Sequence, residues 1–227
     1  MILMKIDGEI FEGEFLERLN RFTVVIKYFD KKIIAHLHDT GRLEELLIPK
    51  RRILFRKVHG KKRKTEFDVL AIKSNSSWVI TDSRMPNIIV KKLIENNTLK
   101  YEILKENVRF GNSLIDFMLK DEKNTYIVEV KGCTLCKNGI ALFPDAPTIR
   151  GSKQLLNMLN NCNFKPMIIF VVMREDAQKI SINYEIDKKF YEIIKFGISK
   201  NLIIRAFKVA LKDNEIYFLG EVPFFIE

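Results

Sequence analysis

Ser113-Leu-Ile-Asp116-Phe-Met-Leu119, a polar linker from Lys120 to Asn124, and Thr125-Tyr-Ile-Val-Glu129-Val-Lys131-Gly132 form the stretch on which the fold turns. Two apolar runs of strand length flank a polar turn, so the segment reads as a β-hairpin. Side chains alternate along a strand, which places Glu129 and Lys131 on one face and Tyr126, Val128 and Val130 on the other. In the first strand Ile115, Phe117 and Leu119 are expected to share a face, with Asp116 pointing the opposite way. Two carboxylates and an ammonium then meet across adjacent strands. Two acidic oxygens suit a hard divalent cation such as Mg²⁺, and a neighbouring lysine can orient or deprotonate an attacking water. The structural alternative is the charged, hydrated outer face of an edge hairpin.

Working outward, the residues before the hairpin are punctuated as short strands. Ile2 to Ile6, Ile10 to Leu16, Arg21 to Phe29, Lys32 to His38, Arg51 to Val58, Glu66 to Ile72 and Trp78 to Asp82 are β-rich, and Asp7-Gly8, Asn20 and Asp30-Lys31 supply the turns. Residues 1–82 are therefore expected to form an OB-like barrel, a shape whose face and loops suit nucleic acid. Asp39 to Ile48 reads as a capped helical turn ended by Pro49. His36 and His38 share a strand face, with His38 expected at the surface.

After residue 82 the period changes. Met85 to Glu95 is helical, with Pro86 in the first turn. A strand at Ile103 to Phe110, the two hairpin strands, a helix at Thr148 to Asn160 and a buried-type strand at Met167 to Met173 follow. A helix at Asp187 to Ser199 and strands at Leu202 to Leu211 and Ile216 to Leu219 complete the chain. Residues 83–227 thus form an α/β domain in which the strand after the hairpin returns parallel. Helix, three strands, helix, strand, with a bare Asp116 and then Glu129-x-Lys131, resembles the core of the PD-(D/E)XK nuclease superfamily. That resemblance implies a further acid from the first helix or first strand, where Glu95, Glu102 and Glu106 are available.

Composition narrows the partners. The 227 residues carry 39 basic and 29 acidic side chains, a formal net charge of +10, which favours a polyanionic partner. Nine of the fifteen residues from Lys50 to Lys64 are basic and none is acidic. Ile53, Leu54, Phe55 and Val58 interrupt the run, so it reads as a basic hairpin able to track a phosphate backbone, with Lys50, Arg51, Arg52, Lys61, Lys62, Arg63 and Lys64 as contacts. A solvated loop that blunts a sheet edge is the alternative. The longest apolar run, Pro166 to Met173, is too short to span a membrane. No secretory signal is apparent at Met1-Ile-Leu-Met-Lys5. Three cysteines fit a reducing cytoplasm. Cys133-Thr-Leu-Cys136 supplies only half the ligands of a zinc site. No Gly-rich phosphate loop, nucleophile elbow or metalloprotease motif signals a small-molecule cofactor.

A more specific resemblance covers nearly the whole chain. Asn20-Arg-Phe22, His36-Leu-His-Asp-Thr40-Gly41, Pro86-Asn87, Phe110-Gly-Asn-Ser-Leu-Ile-Asp116-Phe117, Val128-Glu-Val-Lys131, Thr134-Leu135, Phe143-Pro-Asp145-Ala146, Thr148 and Arg150-Gly151 resemble the sugar fermentation stimulation protein A family. The resemblance implies an OB-like domain joined to a PD-(D/E)XK-like domain, and it implies DNA binding. It marks His36, Thr40, Gly41, Asn87 and Asp145 as motif residues. The chain departs from the family pattern at Asp39, where Asn is common, at Asn107, where an acid is common, at Leu114 for Arg and at Gln154 for His. Arg150 and Lys153, at the start of a helix, are placed to contact phosphate. Three functions remain in view: a DNA-binding, regulatory protein with a nuclease-like domain; a Mg²⁺-dependent nuclease acting through Asp116, Glu129 and Lys131; and a binding module for a small phosphorylated ligand.

Overall fold

The structure, a computed structural model, describes residues 1–60, 63–160 and 163–226. Its first seven strands are β1 (Ile2–Lys5), β2 (Ile10–Asn20), β3 (Thr23–Tyr28), β4 (Lys31–His36), β5 (Arg52–Lys57), β6 (Phe67–Ser74) and β7 (Ser77–Ile80). The strands β2 to β7 form one sheet in the order β4-β3-β2-β5-β6-β7, and a parallel contact between β4 and β6 closes it into a barrel. Alternating side chains fill the interior, Val24, Ile26, Ile53, Phe55, Val69 and Ile72 among them. Each such fully buried apolar side chain contributes roughly 1.5–3 kcal/mol.

The helical turn expected over Asp39 to Ile48 is confined to its second half and is not capped by Asp39 or Thr40. Leu43 takes a positive φ of 51°, which breaks any helical run, and a single turn follows in which the N–H groups of Leu46 and Leu47 donate to the Leu43 carbonyl. Leu43 and Leu46 plug the barrel instead. Burying those two leucines competes with local helix propensity and wins.

The second part contains α1 (Met85–Glu95), β8 (Glu102–Phe110), β9 (Ser113–Lys120), β10 (Thr125–Cys133), β11 (Cys136–Lys137), β12 (Ile140–Phe143) and α2 (Ile149–Leu159). β13 (Lys165–Val172), β14 (Lys179–Ile182), α3 (Lys188–Ser199), β15 (Ile203–Lys212), β16 (Glu215–Glu221) and β17 (Phe224–Phe225) follow. A seven-stranded sheet runs β1-β16-β15-β13-β10-β9-β8, with β10, β13 and β15 mutually parallel. β1, expected in the barrel, instead pairs antiparallel with β16. A small sheet, β11-β12-β14-β17, has no counterpart in the sequence reading.

One face of the large sheet packs against α1 and against barrel residues Leu54, Leu70, Ala71 and Ile80, so the two parts share a continuous apolar core. The other face is covered by α2 and α3. Asp187 links these two helices: Oδ1 accepts the N–H of Phe190 to cap α3, and Oδ2 accepts the N–H of Thr148 before α2. A backbone bond from Ile80 N–H to the Met173 carbonyl (3.0 Å) ties the last barrel strand to the end of β13. The buried Arg174 guanidinium adds a clasp, donating to the Thr134 carbonyl, Ser74 Oγ and Asp176. Among the described residues no helix is long and apolar enough to cross a membrane.

Candidate functional site

The acid-bearing hairpin forms as β9 and β10, paired antiparallel with Val128 opposite Phe117. Phe117, Leu119, Val128 and Val130 enter the core beneath α1. Ile115 does not share that face; it packs with Ile127 and Met158 on the α2 side. The alternation breaks at Asp116, where side-chain bonding replaces the regular ladder: Asp116 Oδ2 accepts the Val130 N–H at 2.8 Å. On the neighbouring strand Asn107 sits at φ 52°, a conformation Asn tolerates better than most residues.

Three elements converge on this break. From α1, Asn87 Nδ2 donates to Asp116 Oδ1 at 2.7 Å. Gly132 permits the approach, since a Cβ there would lie 2.8 Å from Pro86 Cγ. From β10, Lys131 Nζ donates to Glu129 Oε1 at 2.5 Å and to Gln154 Oε1 of α2 at 3.2 Å. Gln154 Nε2 donates in turn to the Leu114 carbonyl at 2.8 Å, so α2 fixes both the lysine and the strand that carries Asp116.

Glu129 is 5% exposed, and its Oε2 is buried without a hydrogen-bond partner. Burial raises its carboxyl to about 7; Asp116 adds to the rise, while Lys131 and Arg150 oppose it. A buried acid facing a second acid is the environment that a bound cation relieves. The remaining acids sit elsewhere. Glu106 pairs with Lys91 at 2.5 Å and Glu95 with Lys92 at 2.8 Å, both pairs at the surface, and Glu102 is exposed. The residue that the first helix brings to Asp116 is Asn87, an amide. Among the described residues no cluster of three His, Cys, Asp or Glu side chains could hold a metal. Arg150 and Lys153 are exposed on the first turns of α2, which Thr148 caps through Gly151 N–H.

The basic segment is used differently from its sequence appearance. Arg51 Nη1 donates to the Glu45 carbonyl, Arg52 pairs with Glu12 and lies over the Trp78 ring, and Arg63 pairs with Asp68. Lys50 and Lys64 are exposed, whereas Lys61 and Lys62 lie outside the described residues. Asp68, 1% exposed, also binds His38 Nε2 at 2.9 Å and Arg84 Nη2 at 3.1 Å. Burial acts to raise the Asp68 carboxyl, but the bond from His38 and the Arg63 and Arg84 guanidiniums outweigh it and hold the carboxyl well below its ordinary range. His38 is therefore an interior partner, not a surface residue. Its ring lies 4.3 Å from that of His36, which stacks on the half-exposed Phe22. Thr40, Gly41 and Asp145 meet apart from the acid pair. A Cβ on Gly41 would come within 2.2 Å of Asp145 Oδ2, and Leu43 N–H donates to that oxygen at 3.4 Å. Cys133 and Cys136 are free thiols, and burial raises both.

Sequence pattern found Asp116, Glu129 and Lys131, which the fold brings together. It did not place Gln154 beside Lys131, although Gln154 lies one helical turn after Arg150 and so on the same face of α2. It missed the Asp68 network, whose members are spread from His38 to Arg84.

A closed OB-like barrel followed by an α/β domain built on one mixed sheet defines a two-part protein, an N-terminal OB domain joined to an α/β domain that carries the Asp…Glu-x-Lys hairpin. Comparison with known proteins narrows this. The profile described as "Sugar fermentation stimulation protein RE domain" matches residues 84–215, and that described as "SfsA N-terminal OB domain" matches residues 16–81. The chain belongs to the sugar fermentation stimulation protein family. A sugar fermentation stimulation protein homolog of Saccharolobus solfataricus is 40% identical over 217 residues, covering 95% of this chain and 85% of the relative. One of Methanosphaera stadtmanae is also 40% identical, covering 90% of each. The solved structure of Pyrococcus furiosus SfsA in complex with Ca²⁺ superposes with a TM-score of 0.93 at 27% identity, covering 100% of both chains.

Proposed function

We propose that this chain is a DNA-binding protein in which Asp116 and Glu129 hold a divalent cation against a backbone phosphate. The observation that carries this reading is the buried Glu129 Oε2, unpartnered and facing the field of Asp116. An orphaned buried polar atom costs on the order of 1–3 kcal/mol, more when charged, unless a ligand satisfies it. Two carboxylates suit Mg²⁺, which keeps several waters and takes one or two acids. That the Pyrococcus furiosus relative was solved with Ca²⁺ supports a divalent ion in this family. Lys50, Lys64, Arg150 and Lys153 are among the exposed cations on hand for phosphate. The OB barrel supports single- or double-stranded nucleic acid as the polymer.

A second reading, phosphodiester hydrolysis, is favoured by Lys131. Its ammonium is held between Glu129 and Gln154 rather than in solvent, where it can orient a water and stabilise developing charge. A bound divalent ion would polarise the phosphoryl oxygen and activate water. One experiment separates the readings. DNA affinity is measured in EDTA and in Ca²⁺, then plasmid integrity is followed in Mg²⁺ or Mn²⁺. Cation-enhanced affinity that Asp116→Asn removes supports the first; cleavage that Lys131→Met abolishes while cation binding survives supports the second. Absence of DNA binding at low salt overturns both.

A further inference from the structure

A cavity of about 330 Å³ lies between the barrel and the α/β domain. It opens past the carboxyl ends of the parallel strands β10 and β13, where Gly132, Thr134 and Met173 line it. Crevices in that position are where open α/β sheets take their ligands, and the volume falls within the range of ligand pockets. Two chain neighbours of residues that bond to the acid pair line the cavity. Its wall residue Pro86 precedes Asn87, which holds Asp116, and Gly132 follows Lys131. Thr148, at its edge, caps the helix that carries Arg150 and Lys153.

The lining is rich in acceptors. Asp39 uses Oδ1 on the N–H of Gly41 at 2.8 Å, and Asp145 uses Oδ2 on Leu43 N–H. Asp39 Oδ2 and Asp145 Oδ1 have no hydrogen bond among the described residues. The loop beneath them is built rigidly. Arg18 donates from Nη1 to the carbonyls of Gly41 and Arg42, each at 2.9 Å, and from Nη2 to that of Arg21 at 2.8 Å. Phe143, Pro86 and Ile80 give the same cavity apolar walls, and Arg21 stands at it as a cation. Acceptors between apolar walls fit a planar heterocycle that carries N–H donors.

We propose that this cavity receives one unstacked nucleobase of a bound DNA strand, and that Asp39 and Asp145 select bases bearing an exocyclic amino group. The inference rests on the DNA-binding reading and adds a substrate class to it: single-stranded or locally unpaired DNA. A carboxylate accepts from the amino group of cytosine, adenine or guanine, whereas thymine offers carbonyls in that place. The phosphate stays outside, near Arg21, Arg150 and Lys153, away from the carboxylates.

The test is anisotropy binding of dC and dT dodecamers and a duplex to the full chain in Ca²⁺. The wild type is expected to bind the dC strand about tenfold tighter than the dT strand, the discrimination of one good charge-assisted bond. Asp39→Asn keeps the acceptor for Gly41 N–H and should bring the two strands within about twofold of each other. Thr40→Trp, which fills the cavity from the barrel side, should weaken the dC strand about tenfold with Ca²⁺ binding unchanged. Equal wild-type affinity for dC and dT, or a dC affinity untouched by Thr40→Trp in a folded variant, overturns the cavity proposal while leaving DNA binding intact. Failure of every oligonucleotide to bind at low salt instead overturns the DNA-binding reading, and this inference with it.

Discussion

The Lys50–Lys64 segment and the β9–β10 hairpin are both charged, yet the structure treats them in opposite ways. The basic segment commits much of its charge to partners of its own: Arg51, Arg52 and Arg63 are each paired within the barrel domain. The hairpin leaves charge unresolved, with two acids together and the Glu129 Oε2 atom buried and unpaired. Density of charge along a sequence is thus a poor guide to which charges face a partner. An interior charge that the protein itself does not neutralise is a better one, because its cost must be offset by a ligand.

The comparison can be broken first at Asp68. Asp68→Ala removes the buried anion that holds His38, Arg63 and Arg84 together, and should lower stability by about 3 kcal/mol, since breaking buried ion pairs is costly and these cations keep part of their hydration. Denaturant unfolding checks this; a loss below about 0.5 kcal/mol would place the network among ordinary surface pairs. A smaller effect is expected from the free lysines. Lys50→Gln with Lys64→Gln should flatten the slope of log affinity for DNA against log salt by about 2 and leave unfolding unchanged, while Arg63→Gln should act mainly on stability. If Arg63→Gln and the lysine pair behave alike, the division between paired and free charge is wrong.

The smallest effect concerns Asp39. Burial raises its carboxyl to about 6 from an ordinary 3.8, with Asp145 adding to the rise and Gly41 N–H and Arg18 opposing it. A carboxyl raised in the folded state favours folding fully below its unfolded value, and that contribution is lost as pH rises through about 6. Asp39→Asn should therefore gain in melting temperature relative to wild type by a few degrees between about pH 4 and pH 8. A constant difference across that range would show that Asp39 does not titrate against the fold.

The fold was legible where period and burial agree. The α1, α2 and α3 helices and the β9, β10, β13 strands carry long runs of one period, and the hairpin pattern was enough to put Glu129 and Lys131 on one face of the strand beside Asp116. What escaped depends on contacts between distant residues. β1 pairs with β16 from the far end of the chain, Ile2 opposite Tyr217, and nothing local to Ile2–Lys5 distinguishes that partner from a barrel strand. The segment from Asp39 has a helix-like sequence, but Leu43 and Leu46 are taken into the barrel core. The break at Asp116, which turns Ile115 to the α2 side, arises from side-chain bonds to Asn87 and Val130 N–H. Likewise Asn87 and Gln154 join the acid pair only through helix packing.

The central claim is that Asp116 and Glu129 together hold a divalent cation. Calorimetric titration of the metal-free protein with Ca²⁺ and with Mg²⁺, repeated on Asp116→Asn and Glu129→Gln, tests it most directly. The wild type is expected to bind one ion saturably and each variant to lose at least about a hundredfold, as expected when one of two charged ligands is removed. Equal binding by the wild type and both folded variants, or no binding at millimolar ion, would contradict it.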